Sequence, residues 1–230
     1  MFRNYLTVGI RSIMRNKVYS TLNVVGLGIG MACCLLIALY VQNELKYDKF
    51  HRNGDGIYKL VRETRNEGGN RSFGWGTSGA LGPALERDFP EIQKAVRIWP
   101  WTVTVEHNNQ AFRTGLSLVD RSLFDVFDFE LVIGDPNTAF DDPSSVVITE
   151  SMAELLFPDG DAIGRTLTVD NSLFGGVYVI SGILKDPRDH STIRRLDLIV
   201  TREPNAQWRG GWTSWKAVQG WRPIRTYVLL

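Results

Sequence analysis

Residues 18–43 carry no charged side chain. Within them, residues 21–41 read TLNVVGLGIGMACCLLIALYV and hold only two polar positions, Thr21 and Asn23, both at the front. As a helix this stretch rises about 30 Å, the thickness of a bilayer's hydrocarbon core. A buried helix of that length in a globular protein keeps a polar stripe. This one has none, and we read it as a membrane span. A secretory signal is the rival reading, but its apolar core is shorter, and no small-x-small cleavage site lies between the end of the apolar core and Glu44. Ahead of the span, Phe2, Tyr5, Leu6, Ile10, Ile13 and Met14 recur at three- and four-residue spacing, with Arg3, Asn4, Thr7, Arg11 and Arg15 largely opposite. This predicts an amphipathic basic helix over residues 2–17, suited to the inner headgroup layer. Packing on a soluble domain is the alternative.

Beyond Glu44 the pattern becomes mixed. Residues 55–62 predict the start of a strand, and the Gly- and Asn-rich residues 66–76 a loop. Ser78 is expected to cap a helix that runs to Phe89, with Pro83 in its first turn and Pro90 as its stop. Leu81, Leu85 and Phe89 would then share a face. Residues 102–106 and 111–114 read as a hairpin around Asn108-Asn109. Residues 121–127 read as a short helix. Residues 145–148 predict a buried strand that leads into a helix capped by Thr149 and ending near Phe157-Pro158. Strands are expected at 165–169, 177–185, 196–201 and 226–230. Strands and helices interleaved in this way predict an α+β fold: a mixed α/β domain behind one transmembrane helix and its amphipathic lead-in. The expected division is 1–17, 18–43 and 44–230.

Charge orients the span. Arg3, Arg11, Arg15 and Lys17 precede it unopposed, and all 25 acidic residues lie beyond residue 43. Unopposed bases stay in the cytoplasm, so residues after about 44 should be periplasmic, or extracytoplasmic. The four bases would act as anchors at the membrane face, with Tyr19 and Tyr40 near the two interfaces. This asymmetry points to a membrane and not to nucleic acid. Within the span, Gly26 and Gly30 form a small-xxx-small face that lets another helix approach closely. Cys33 and Cys34 are adjacent and inside the apolar run, so they close no loop and have no metal-ligand spacing.

No constellation predicts catalysis. His51, His107 and His190 are scattered, and Asp48 with His51 makes too few ligands for a metal site. There is no GxxxxGK[ST] phosphate loop, and GLGIG lacks the third glycine of a dinucleotide fingerprint. No enzyme activity, cofactor or metal is expected. Trp208, Trp212, Trp215 and Trp221 crowd residues 205–222; a loop with partly buried indoles is preferred to a stacking platform for sugars or bases.

Several stretches resemble the FtsX-like/MacB-type permeases of ABC transporters. NYLTVGIRSIMRNKVYSTLNVVGLGIGMACCLLIALYVQNEL looks like the family's basic elbow helix and first span. YDKFHRNGDGIYKLVRE follows it, then LGPALERDFPEIQKAVRI. LVDRSLFDVFDFELVIGDP, DPSSVVITESMAELLFPDGDAIGRTLTV and VISGILKDP complete a series in the family's order. Pro158, Ala162 and Asp189-His190-Ser191 depart from the usual loop residues. The resemblance implies a MacB-like periplasmic core domain in a bacterial inner (plasma) membrane. It implies a membrane subunit that couples ATP hydrolysis by a separate cytoplasmic ATPase to movement of the periplasmic domain. The substrate exported or extracted would be a peptide, antibiotic or lipoprotein. Its implied partners are that ATPase, a second permease copy or half, the lipid bilayer and a periplasmic protein. Members carry further spans, so the chain is expected to be an N-terminal fragment.

The competing function is a single-pass membrane-anchored sensor or adaptor, which the short cytoplasmic part disfavours. A membrane-anchored enzyme would need a convergent polar site. Orientation is checked with reporter fusions: alkaline phosphatase joined after Arg62 should be active and joined after Lys17 silent. The reverse pattern would overturn the assignment.

Overall fold

The computed structural model describes residues 11, 14–45, 51–66, 68–108, 110–187, 191, 193, 196–201, 212–213, 215 and 224–230. The chain divides into two compact units, Met1–Tyr47 and Asp48–Leu230.

The first unit contains helix α1, Lys17–Glu44, of 28 residues. None of its side chains is buried, and it is long and apolar enough to cross a membrane. Most of the expected lead-in helix lies outside the described residues; of its basic positions, Arg11, Arg15 and Lys17 are exposed.

The second unit is built on strands β1 (Ile57–Lys59), β2 (Arg62–Arg65), β3 (Arg71–Gly74), β4 (Lys94–His107), β5 (Gln110–Val119), β6 (Leu131–Ile133), β7 (Ser145–Thr149), β8 (Thr166–Asp170), β9 (Gly176–Leu184), β10 (Leu198–Val200) and β11 (Arg225–Leu229). Its helices are α2 (Leu81–Asp88), α3 (Leu123–Val126) and α4 (Glu150–Leu156). β4 pairs with β5, β5 with β10, β10 with β7, β7 with β9, β9 with β8, and β8 returns to β4. These six strands therefore close on themselves. Beyond the closed ring, β11 joins the early part of β4 and carries β1, and β6 joins the end of β9.

Alternation along the strands separates two cores. Trp99, Val103 and Val105 of β4, Leu116 and Leu118 of β5, and Leu198 and Val200 of β10 belong to one buried cluster. Val146 and Ile148 of β7, Leu167 and Val169 of β8, and Tyr178 and Ile180 of β9 complete it. Each of the six ring strands thus sends one face into a common interior. The neighbouring positions Val96, Ile98, Val119, Val147, Leu184 and Ile199 pack on the opposite face with Leu123, Val126 and Phe127. In β9 the alternation shifts. Ile180 opposes Val146 but Gly182 opposes Val147, so Ser181 is an extra residue in a β-bulge. The shift returns Ile183 to the interior cluster. Ser181 Oγ donates to Ala139 O at 2.7 Å, which ties the bulge to the connection between β6 and β7. Gly134 has φ +106, and a Cβ there would meet Ser181 O at 2.9 Å, so only glycine fits beside the bulge.

Several local expectations hold. Thr149 Oγ1 accepts from Met152 N at 3.4 Å and caps α4. β5 returns from β4 around residue 108, although both strands are longer than expected. Three expectations are corrected. Residues 66–76 are not all loop: Arg71–Gly74 forms β3, antiparallel to β2. The N-cap of α2 is Ala80, and no side chain bonds there; Ser78 contributes only its carbonyl, which accepts from Leu81 N at 3.2 Å. Phe89 leaves the helical conformation (φ −127, ψ 101) because Pro90 follows it. Its ring is exposed, and the buried positions of α2 are Gly82 and Ala84.

The interior should dominate stability. Leu116→Ala is expected to lower the unfolding free energy by about 3 kcal/mol, through lost burial plus a cavity. Leu155→Ala, on the exposed side of α4, should change it by less than about 0.5 kcal/mol. Urea denaturation followed by near-UV circular dichroism compares the two.

Candidate functional site

Arg97 lies on β4 between the apolar Val96 and Ile98, and it is buried. Its guanidinium forks onto Asp120, Nε to Oδ2 at 2.8 Å and Nη2 to Oδ1 at 2.6 Å. Its backbone N–H also donates to Asp120 Oδ2, at 2.8 Å. Nη1 donates to Gly79 O at 2.6 Å and to Trp212 O at 2.7 Å. The guanidinium lies 3.9 Å from the centre of the Trp212 ring, which stacks on Trp99 at 6.3 Å and 11°. One buried cation thus joins the end of β5, the turn before α2, and the segment at Trp212. A buried charge is tolerated only when it is paired and its protons are used, and Arg97 meets both conditions. Gly82 of α2 sits against its stem; a Cβ there would meet Arg97 Cγ at 3.2 Å.

Above this brace runs an apolar groove of about 390 Å³. Thr77 and Ser78, with Leu81 and Leu85 of α2, line one side. Leu60, Val61 and Arg62 line another, and Trp215 completes it. Thr77 is fixed to β11: its N–H donates to Ile224 O at 3.0 Å, and its Oγ1 lies 2.6 Å from Thr226 Oγ1. Arg62 differs from Arg97. Its Nε is buried and has no hydrogen-bond partner among the described residues.

The β2–β3 hairpin rises beside the groove as a separate two-stranded sheet. Phe73 is 66% exposed and Trp75 59% exposed. Lys59 Nζ stands 4.1 Å above the Trp75 ring. Glu63 is shared by Arg65 at 3.0 Å and Arg71 at 3.3 Å.

A family description, the MacB-like periplasmic core domain, matches residues 20–226. The chain belongs to that family. Solved structures agree in fold. A domain of a protein described as a permease from Porphyromonas gingivalis is 23% identical at a TM-score of 0.63, covering 78% of this chain and 75% of that one. The periplasmic region of MacB from Actinobacillus actinomycetemcomitans is 17% identical at 0.51, covering 76% and 74%. The extracellular domain of the noncanonic ABC-type transporter YknZ from Gram-positive bacteria is 13% identical at 0.50, covering 75% and 82%. No curated protein matches the sequence.

Within this MacB-like chain, four of the residues singled out from sequence, Ser78, Leu81, Leu85 and Trp215, line the groove. Gly26 and Gly30 lie on α1, where a Cβ at either would meet no other atom within 4 Å. Arg3 lies outside the described residues. His51 Nδ1 accepts from Asp128 N at 3.0 Å, and its ring packs on Phe127 and Phe129. Asp48 and His190 are outside the described residues, and the His107 ring packs on Phe157 at 4.5 Å. No group of three or more His, Cys, Asp or Glu residues that could hold a metal occurs among the described residues. Of the four tryptophans in 205–222, Trp212 is buried, Trp215 is exposed, and Trp208 and Trp221 lie outside the description. The sequence reading missed Arg97, Arg62 and Trp75. A lone arginine in the apolar run AVRIW was the available signal for the first.

The brace gives a direct test. Asp120→Ala leaves Arg97 without its anion and should destabilise the domain by about 2–3 kcal/mol. Arg97→Lys should recover little, because an ammonium has no planar fork. Thermal melts read the loss. The near-UV signal of the stacked Trp99–Trp212 pair should weaken in both variants.

Proposed function

We propose that this chain is part of the membrane subunit of an ABC transporter, in which hydrolysis by a separate cytoplasmic ATPase moves the periplasmic domain to export or extract a substrate. The family supplies the class: MacB-type permeases work with an ABC ATPase partner and are transporter subunits rather than classical enzymes. The observation that carries the mechanical reading is the pairing of β1 with β11. Ile57 lies opposite Leu229, and Leu230 N donates to Gly56 O at 3.0 Å. The first and last strands of this unit therefore lie side by side. That arrangement suits a domain held at one end by membrane helices. A displacement of those helices would act on β1 and β11 together, and through β11 on the long strand β4.

The rest of the assignment follows from the charge and apolar patterns. Residues 1–17 would lie at the cytoplasmic face, anchored by Arg3, Arg11, Arg15 and Lys17. Residues 18–43 would span the inner membrane, and residues 44–230 would form the periplasmic core domain. Gly26 and Gly30 would pack against a helix of a second permease copy or half. A peptide, antibiotic or lipoprotein is the expected substrate class. The groove braced by Arg97 is the surface on which substrate or a periplasmic partner would act.

DNA downstream of codon 230 should encode three further apolar runs, with an ATPase gene adjacent. Unrelated neighbouring genes and no further apolar run would count against a permease. In a membrane dimerisation assay, Gly26→Leu with Gly30→Leu should cut the association signal by about fivefold, the effect of removing roughly 1 kcal/mol of close helix packing. An unchanged signal would remove the glycine face from the assignment.

A further inference from the structure

Among the described residues, the β2–β3 hairpin has no buried residue. It lies outside the nine-stranded sheet. A solitary two-stranded hairpin is marginal in water unless something packs on it. Its face toward solvent carries Phe73, with Trp75 at its base, both more than half exposed. Lys59 stands over the Trp75 ring, and Arg65 and Arg71 share the Phe73 face with Glu63. Glu63 already serves two arginines, and Arg62 has no ion-pair partner among the described residues.

Exposed aromatic rings ringed by cations are the composition that binds the boundary between headgroups and acyl chains. Tryptophan favours that boundary, and each Lys or Arg near an anionic surface adds attraction that falls off within a Debye length. The tether also matters. β2 begins at Arg62, and α1 ends at Glu44. Even a fully extended chain keeps the hairpin within about 60 Å of the end of α1. A tether of that length gives a local concentration in the millimolar range, so weak contacts suffice.

We propose that the β2–β3 hairpin docks on the surface of the bilayer that α1 crosses, with Phe73 and Trp75 at the acyl boundary and Arg65 and Arg71, which share the Phe73 face, on anionic phospholipid headgroups. This rests on the reading of α1 as a membrane span. The hairpin leads through Leu60 and Val61 into the groove. Docking there would set the groove beside the membrane surface, where an amphiphilic substrate is concentrated.

The test uses the full chain in nanodiscs, in a Cys33→Ala, Cys34→Ala background. A bimane label is placed through Phe73→Cys, through Leu155→Cys on α4, or through Leu36→Cys in α1. Quenching by doxyl-labelled lipid is then measured. In phosphatidylglycerol discs the label at position 73 should be quenched at least about threefold more than the label at 155. The difference should vanish in phosphatidylcholine discs and in the Arg65→Gln, Arg71→Gln variant. Equal quenching at 73 and 155 in phosphatidylglycerol, with strong quenching at 36, would overturn the docking and leave the span intact. Absence of quenching at 36 would overturn the span, and the docking with it. Protection of position 73 only after soluble periplasmic proteins are added would make the hairpin a protein-docking surface and overturn the proposal.

Discussion

The domain depends on strand closure through β8. An open sheet would leave the later part of β4 and the start of β9 as unpaired edges, each with a row of unsatisfied N–H and C=O groups. β8 takes both. It pairs with β4 over Thr104–Asp170 to Glu106–Thr168, and with β9 over Thr166–Val179 to Val169–Gly176. With the ring shut, Trp99, Tyr178 and the apolar positions around them gain an interior enclosed on every side. β4 can serve two neighbours because of its length. β11 occupies residues 94–98 on one side and β8 occupies residues 104–106. Pro100 falls in the interval between them, where its missing N–H costs no ladder bond to a second neighbour.

The same strand carries the brace. Arg97 sits two residues before Trp99, so both side chains emerge on one face of β4. The guanidinium reaches out of the apolar interior to Asp120 and to two carbonyls, while its flat face covers Trp212. The ring's rigidity is thereby extended to the turn before α2 and to Trp212. Leu81 and Leu85 stand on a helix whose base rests on the Arg97 stem, and Thr77 is held by β11. The groove is therefore built from loops, the first residue of β2 and one short helix, and its α2 and Thr77 side is tied to β4 and β11.

How much of this the sequence disclosed depends on the range of each interaction. The span was plain, because a 26-residue stretch without charge is a local signal. β7 and α4 were equally plain, because a buried run followed by Thr149 contains strand, cap and helix within twelve residues. The α+β class followed from such pieces. Closure did not, since no local pattern records that β8 returns to β4 across sixty residues. β3 was hidden for a different reason. Arg71, Ser72, Phe73 and Gly74 show no apolar alternation, because neither face of the hairpin is buried in the domain. The groove was hidden because its residues come from three separate stretches. Gly26 and Gly30, which the pattern did mark, belong to α1.

That contrast bears on function. Alternation fails where a strand is not buried by its own fold, and β2–β3 is where it fails most clearly in this domain. A strand pair with exposed rings and surplus cations is unfavourable as a free surface: the rings stay hydrated, and the cations repel one another around a single shared carboxylate. The ring of six strands gains nothing from it, since the hairpin contributes no residue to either core. Its composition answers to something outside the domain. An anionic, partly apolar surface satisfies both halves of that composition at once, whereas a neutral polar partner would leave the arginines unmatched and a purely charged one would leave Phe73 and Trp75 in water.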